Sequence, residues 1–167
     1  YYQNFSFTFH KPTMANPHGE GEAIPKTGKN VVAYLDNGAE YTIIIGAHYD
    51  HLGTGIMGSS RDANPEGKIH NGADDNASGT AGMMELARYY TKNGKTEGCN
   101  FIFIAFSGEE LGLVGSKKFT EYAGFNATST QCMINMDMIG RLNDSTKKIL
   151  VYGIGTSPVF GNVVQKY

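Results

Sequence analysis

Four short stretches of the chain hold the residue types that hydrolytic metal chemistry uses. They are His48-Tyr49-Asp50, Asp74-Asp75 within Asn71 to Gly79, Glu109-Glu110 after Ser107-Gly108, and Asp137 in Asn135-Met136-Asp137. One histidine with three or four carboxylates and no thiolate suits zinc, manganese or cobalt at a hydrolytic site, whereas structural zinc prefers cysteine-rich sets. Asp50 follows His48 by two residues and so lies on the same side of an extended chain. A carboxylate there can accept the spare ring N–H of a metal-bound imidazole and fix its tautomer. Asp74 and Asp75 occupy a Gly- and Asn-rich bend before a helix, where one carboxylate with both oxygens free can bridge two cations. Adjacent side chains in an extended segment diverge, so one of Glu109 and Glu110 can ligate a metal while the other faces the activated water as general base. An unpaired, ionised Asp137 inside the apolar run Met133 to Ile139 needs a cation or a dense hydrogen-bond shell.

Each stretch taken alone also has a plainer reading. His48 can be a surface histidine beside a solvated aspartate. The acids before the helix can cap it and complement its dipole, and the two glutamates can be a solvated helix start. His51 is read as such a surface residue, and Asp74 is not counted among the ligands.

Three of the four stretches follow directly on a strand pattern, and open α/β sheets bind ligands in the crevice at the carboxyl ends of their strands. Phe5 to Phe9 alternates aromatic and polar residues as a half-buried edge strand does, and His10 to Lys29, rich in Gly and Pro, reads as a loop. Asn30 to Leu35 and Tyr41 to Ala47 flank Asp36-Asn37-Gly38, a hairpin signal that makes them antiparallel neighbours. Thr54 to Lys68 reads as a loop over the site. Ser78 to Lys92 is helical, with Ala81, Met84, Leu86, Ala87 and Tyr90 on its apolar face and Asn93-Gly94 as its stop. Asn100 to Phe106 is apolar enough for a strand covered on both faces. Leu113 to Tyr122 reads as a second helix, Met133 to Met138 and Lys148 to Tyr152 as strands, and Ser157-Pro158 as the start of a third helix. This succession predicts an α/β fold, a mixed, mostly parallel sheet flanked by helices, in a single domain over residues 1–167.

Composition narrows the partners. The chain has 167 residues, and 40% hydrophobic with 18% charged residues is the balance of an ordinary globular domain. With a net charge of −2 and Lys and Arg scattered singly, no basic stripe is available for nucleic acid. The longest apolar runs, Ile43 to Ala47 and Phe101 to Phe106, fall far short of the roughly 20 residues of a membrane span. Cys99 and Cys132 lack paired zinc or disulfide spacing and are expected as buried free thiols. No signal peptide is visible at Tyr1, and Asn76, Asn126 and Asn143 stand in glycosylation sequons that matter only in a glycosylating host.

In this order, Gly46-Ala47-His48-Tyr49-Asp50-His51-Leu52-Gly53, Asn71-Gly72-Ala73-Asp74-Asp75-Asn76-Ala77-Ser78-Gly79 and Phe106-Ser107-Gly108-Glu109-Glu110-Leu111-Gly112 closely resemble the co-catalytic two-zinc aminopeptidases. Relatives of that family include glutamate carboxypeptidases and, more distantly, glutaminyl cyclases. The likeness covers Asn30 to Gly140 and continues weakly to Pro158. It implies the zinc exopeptidase three-layer sandwich and two zinc ions, one on His48 and Asp137, the other on Glu110, with Asp75 bridging both. It further implies Asp50 as the partner of His48, Glu109 as general base, a cis peptide at Asp75-Asn76, and peptide substrates cut at their free amino end. Because such relatives are often exported, it implies a secreted or periplasmic protein.

The chain departs from the family in one respect: the family's further histidine ligand comes from a downstream loop, and no histidine follows His70 here. We therefore expect a domain incomplete at its C-terminal end and inactive as it stands. Competing readings are a short form that uses His70 as the surrogate ligand, a glutaminyl-cyclase-like acyltransferase, and a non-catalytic binding module on the same scaffold. Cyclase relatives typically lack the first histidine, so His48 favours the peptidase.

Overall fold

The computed structural model describes residues 1–11, 21–54, 60, 62–65, 67–122, 124–142 and 144–166. In chain order the regular elements are β1 (Tyr2–His10), β2 (Ala23–Leu35), β3 (Thr42–His48), the short strands β4 (Gly53–Thr54) and β5 (Ile69–His70), α1 (Gly79–Lys92), β6 (Asn100–Phe106), α2 (Val114–Thr120), β7 (Thr130–Asn135) and α3 (Phe160–Lys166). Five strands make one sheet in the order β1-β2-β6-β3-β7, and β4 pairs with β5 apart from it. β2 is antiparallel to both of its neighbours, β1 and β6, whereas β6, β3 and β7 are mutually parallel. The expected mixed sheet with flanking helices is present, its four pairings divided evenly between the two kinds.

Alternation along β6 sorts its side chains to two faces. Phe101, Phe103 and Ala105 join Ile45 and, from α1, Met83. Ile104 and Phe106 join Val32, Ile44 and, from α2, Phe119. The two helices therefore cover opposite faces, and β6 and β3 lie between them in the expected three layers. The buried side of α1 is Met83, Leu86, Ala87 and Tyr90. Met84, read from sequence as a core residue, is exposed, because one residue on from Met83 turns a side chain by about 100° around the helix.

Four expectations are corrected. Ala23 to Lys29 is strand rather than loop, paired residue for residue with β1; residues 12–20 of the expected loop lie outside the described residues. Pro25 is accommodated because β6 pairs with β2 only from Val31 to Leu35, so the missing N–H interrupts no ladder on that side. β2 and β3 are not adjacent, since β6 lies between them. Asn100 at the start of β6 accounts for this: its Oδ1 accepts the N–H groups of Asn37 (2.9 Å) and Ala39 (3.2 Å), and its Nδ2 donates to Ala39 O (2.7 Å). The Asp36-Asn37-Gly38 turn is thus wrapped around a third strand instead of closing a hairpin.

The third correction is that the strand expected over Met133 to Met138 runs from Thr130 to Asn135 and is mostly exposed, with no buried residue. It forms the sheet edge beyond β3, with no strand on its outer side among the described residues. The fourth is that Lys148 to Tyr152 is not a strand, and Ile149, Leu150, Val151 and Tyr152 are exposed. The third helix begins at Phe160, with Ser157 Oγ accepting Val159 N–H at 3.5 Å. Cys99 and Cys132 are free thiols, only partly buried.

Candidate metal centre

The three parallel strands bring the chemistry together at their carboxyl ends. His48 is the last residue of β3 and pairs with Phe106, the last residue of β6. Glu109 and Glu110 follow three and four residues beyond Phe106, and Asp137 lies two beyond the end of β7. Asp75 arrives from the turn Ala73–Ser78 that leads into α1, and its peptide bond to Asn76 is cis, as the resemblance implied.

His48 is 2% exposed, and its Nε2 makes no hydrogen bond in the structure. That atom faces Asp75 Oδ1 at 3.1 Å, Asp137 Oδ1 at 3.8 Å and Glu109 Oε2 at 3.9 Å. Ligand atoms of His48, Asp75 and Asp137 all lie within 4.8 Å of one another, the only such group among the described residues. A buried ring nitrogen without a hydrogen bond, ringed by carboxylate oxygens, has the donor set a zinc ion requires. His70, the candidate surrogate ligand, is not in the group; it lies on β5, against β4.

Asp50 acts differently from the sequence expectation. The backbone oxygen of Asp50, rather than its carboxylate, lies within hydrogen-bond distance of His48 Nδ1, at 3.1 Å. The carboxylate is 3.6 Å from Nδ1 and instead accepts the backbone N–H groups of Glu109 (3.1 Å) and Glu110 (3.2 Å), one on each oxygen. The backbone contact selects the Nδ1–H tautomer and leaves the Nε2 lone pair for a cation. The carboxylate fixes where the two glutamates begin. Asn30, fully buried, extends the support: its Oδ1 accepts Ser107 N–H and its Nδ2 donates to Gln3 Oε1 and Gly115 O. Its only sequence signal is an amide within an otherwise apolar strand pattern.

Electrostatics describe a site that is negative without a cation. Burial works against a charged imidazole, yet Asp50, Glu109 and Asp137 outweigh it and raise the His48 pKa to about 9. Burial raises Glu110 to about 7, aided by the negative charges of Asp75 and Glu109. Burial also raises Glu109 and Asp137. For Asp50 burial again disfavours the charge, but the contact with His48 and the two backbone N–H groups prevail and hold its carboxyl below the usual range. A bound cation would favour the ionised form of every one of these carboxylates.

The sequence model of peptidase family M28 matches residues 30–167. A probable zinc metalloprotease of Pyricularia oryzae is 32% identical over 120 residues, covering 71% of this chain and 22% of that protein. Among solved structures, an aminopeptidase from Aneurinibacillus sp. strain AM-1 is 32% identical with a TM-score of 0.54, covering 70% of this chain and 26% of that one. A Porphyromonas gingivalis glutaminyl cyclase has a TM-score of 0.59 at 20% identity, covering 83% of this chain and 48% of that one, a likeness of fold alone. The chain spans about a fifth to a third of the length of the curated relatives it matches. Since the family match runs over most of the chain and takes in all four stretches that build the acidic cluster, the chain belongs to peptidase family M28.

Proposed function

We propose that this chain supplies the metal-binding core of a zinc-dependent exopeptidase, an aminopeptidase that removes N-terminal residues from peptides. The observation that carries this reading is the buried His48 Nε2 without a hydrogen bond, faced by Asp75, Asp137 and Glu109 within 3.9 Å. His48, Asp75 and Asp137 would hold one zinc ion, and Asp75 with Glu110 would contribute to a second. Zinc, when bound, supplies Lewis acidity that polarises a carbonyl and lowers the pKa of water.

The remaining steps fall to this chain's own groups. Glu109 is the general base: its carboxylate takes the proton from the attacking water and passes it to the departing amine. Asp50 holds the glutamate in place through its backbone N–H. The acidic cluster favours a cationic group, which a peptide's free amino terminus provides, and that preference supports cleavage from the end rather than within the chain.

In the full-length protein, Glu109→Gln should cut peptide turnover by about 10²- to 10⁴-fold while zinc content stays near two equivalents. Retained turnover would remove Glu109 from the base role. Cyclisation of N-terminal glutamine without peptide hydrolysis by the unaltered protein would replace the peptidase reading with the cyclase one, and absence of any chelator-sensitive reaction would leave a binding module.

A further inference from the structure

Asp137 is 44% exposed and projects from the end of an edge strand, so side-chain packing does not hold it in place. Its main chain is held instead, by Met136 N–H donating to Gly46 O at 2.9 Å and by hydrogen bonds from residues 74–80. Asn76, 1% exposed, donates Nδ2 to Met136 O at 2.9 Å and accepts Met138 N–H on Oδ1 at 3.3 Å, gripping the main chain on both sides of Asp137. The same Oδ1 accepts Gly79 N–H at 2.9 Å. Ser78 Oγ accepts Ile139 N–H at 3.1 Å while donating to Asp74 O at 2.6 Å, and Asp74 Oδ1 accepts Gly140 N–H at 2.8 Å. On the other side, Thr80 Oγ1 donates to His48 O at 2.8 Å.

Two glycines permit this approach. A Cβ at Gly79 would stand 2.3 Å from Met136 O, and one at Gly140 would stand 2.8 Å from Ser78 Cβ and 3.0 Å from Asp74 Oδ1. The segment that carries Asp75 therefore also holds the main chain beneath His48 and around Asp137. It carries Asp75, bonds the main-chain oxygen of His48 and grips the residues on either side of Asp137.

We propose that Asp74, Asn76, Ser78 and Thr80 are positioning residues, a main-chain template that sets the spacing of His48, Asp75 and Asp137 before an ion binds. The proposal rests on the reading of Asp137 as a metal ligand. It assigns Asp74 the work of a hydrogen-bond acceptor for Gly140 rather than that of an extra negative charge. Asn76 is occupied in this way and buried, so its sequon is not available for glycosylation in the folded chain.

The test measures zinc affinity of the full-length protein by competition with a chelator, together with the melting temperature of the metal-free form. Asp74→Ala should weaken zinc binding by about 10- to 100-fold, the usual cost of losing a group that orients a ligand, with only a small change in metal-free melting. Asp74→Asn keeps an Oδ1 acceptor and should restore affinity to within about threefold of the unaltered protein. Asp74→Asn as weak as Asp74→Ala would mean that charge matters and would overturn the proposal, as would an Asp74→Ala protein with unchanged affinity. Asp137→Ala separates the two readings. If it leaves zinc binding intact, the ligand assignment fails and the template falls with it; if it weakens binding while Asp74→Ala does not, the template alone fails. In the double variant, loss of Asp74 should add nothing to loss of Asp137, and additive losses would overturn the proposal. Should Asp74→Ala fold poorly, Ser78→Ala removes the Ile139 acceptor and carries the same expectation.

Discussion

The middle of the sheet and its β7 edge each deliver one member of the candidate metal-binding group from the end of a parallel strand, by different physics. His48 leaves β3 with β6 on one side, β7 on the other and helices over both faces, and its ring is 2% exposed. Asp137 leaves β7 at the rim, where Met133 and Ile134 face solvent and the side chain itself is 44% exposed. Burial, with Asp50 O on its Nδ1 and Thr80 on its carbonyl, holds the histidine. A line of hydrogen bonds from residues 74–80 orients the aspartate. A site of this kind can therefore remain assembled on its open side while its central side sets the stability of the fold.

The largest loss is expected at Ile104, which is 0% exposed in the middle of β6. Ile104→Ala should destabilise the protein by about 2–5 kcal/mol, read from chemical denaturation of the metal-free form. Asp50→Ala comes next: it strips the acceptor from two partly buried backbone N–H groups, at a cost of about 1–3 kcal/mol. It should also lower kcat more than KM, because the proposed base, Glu109, is displaced. An unchanged kcat would separate Asp50 from catalysis.

A further effect follows from pH. His48 has its folded pKa raised from 6.5 to about 9, and Glu110 from 4.5 to about 7. For a raised pKa the stabilisation is present below the unfolded value and lost as pH climbs through the folded one. The metal-free protein should thus melt lower as pH rises from about 4.5 to about 9, whereas zinc affinity should rise over the upper part of that window as His48 loses its proton. Melting curves with chelator and with zinc, taken at both ends, should slope in opposite directions; parallel slopes would mean that His48 is not a ligand. The least effect is expected at Ile134, 51% exposed on β7, where Ile134→Ala should cost no more than about 0.5 kcal/mol. A cost equal to that at Ile104 would erase the distinction between the two regions.

Much of the site was legible because its residues are informative where they stand. Acids and a histidine placed directly after β-rich apolar runs predict the ends of parallel strands, and β3 and β6 deliver His48, Glu109 and Glu110 there. β6 is legible to the residue, since the six consecutive apolar positions Phe101 to Phe106, bounded by Asn100 and Ser107, leave few alternatives. Less legible were features set by partners distant in the chain. Asp36-Asn37-Gly38 reads as a hairpin because the local signal contains nothing of Asn100, more than sixty residues away, whose amide holds the turn open. Pro25 reads as a loop residue because the chain does not announce that β1 will pair with one side only.

What the sequence by itself determined is the chemistry: which side chains are present, the apolar runs that carry them, and the family to which their order belongs. Tertiary structure alone decided the division of labour among the polar groups. Asp50 meets the glutamate N–H groups with its carboxylate and His48 with its backbone oxygen, and Asp74, Asn76 and Ser78 reach across about sixty residues to the main chain around Asp137. Hydrogen bonds depend on ångström-scale distance and angle between segments far apart in the chain. Residue type and spacing encode which groups can donate or accept, and the packed sheet selects which of them meet.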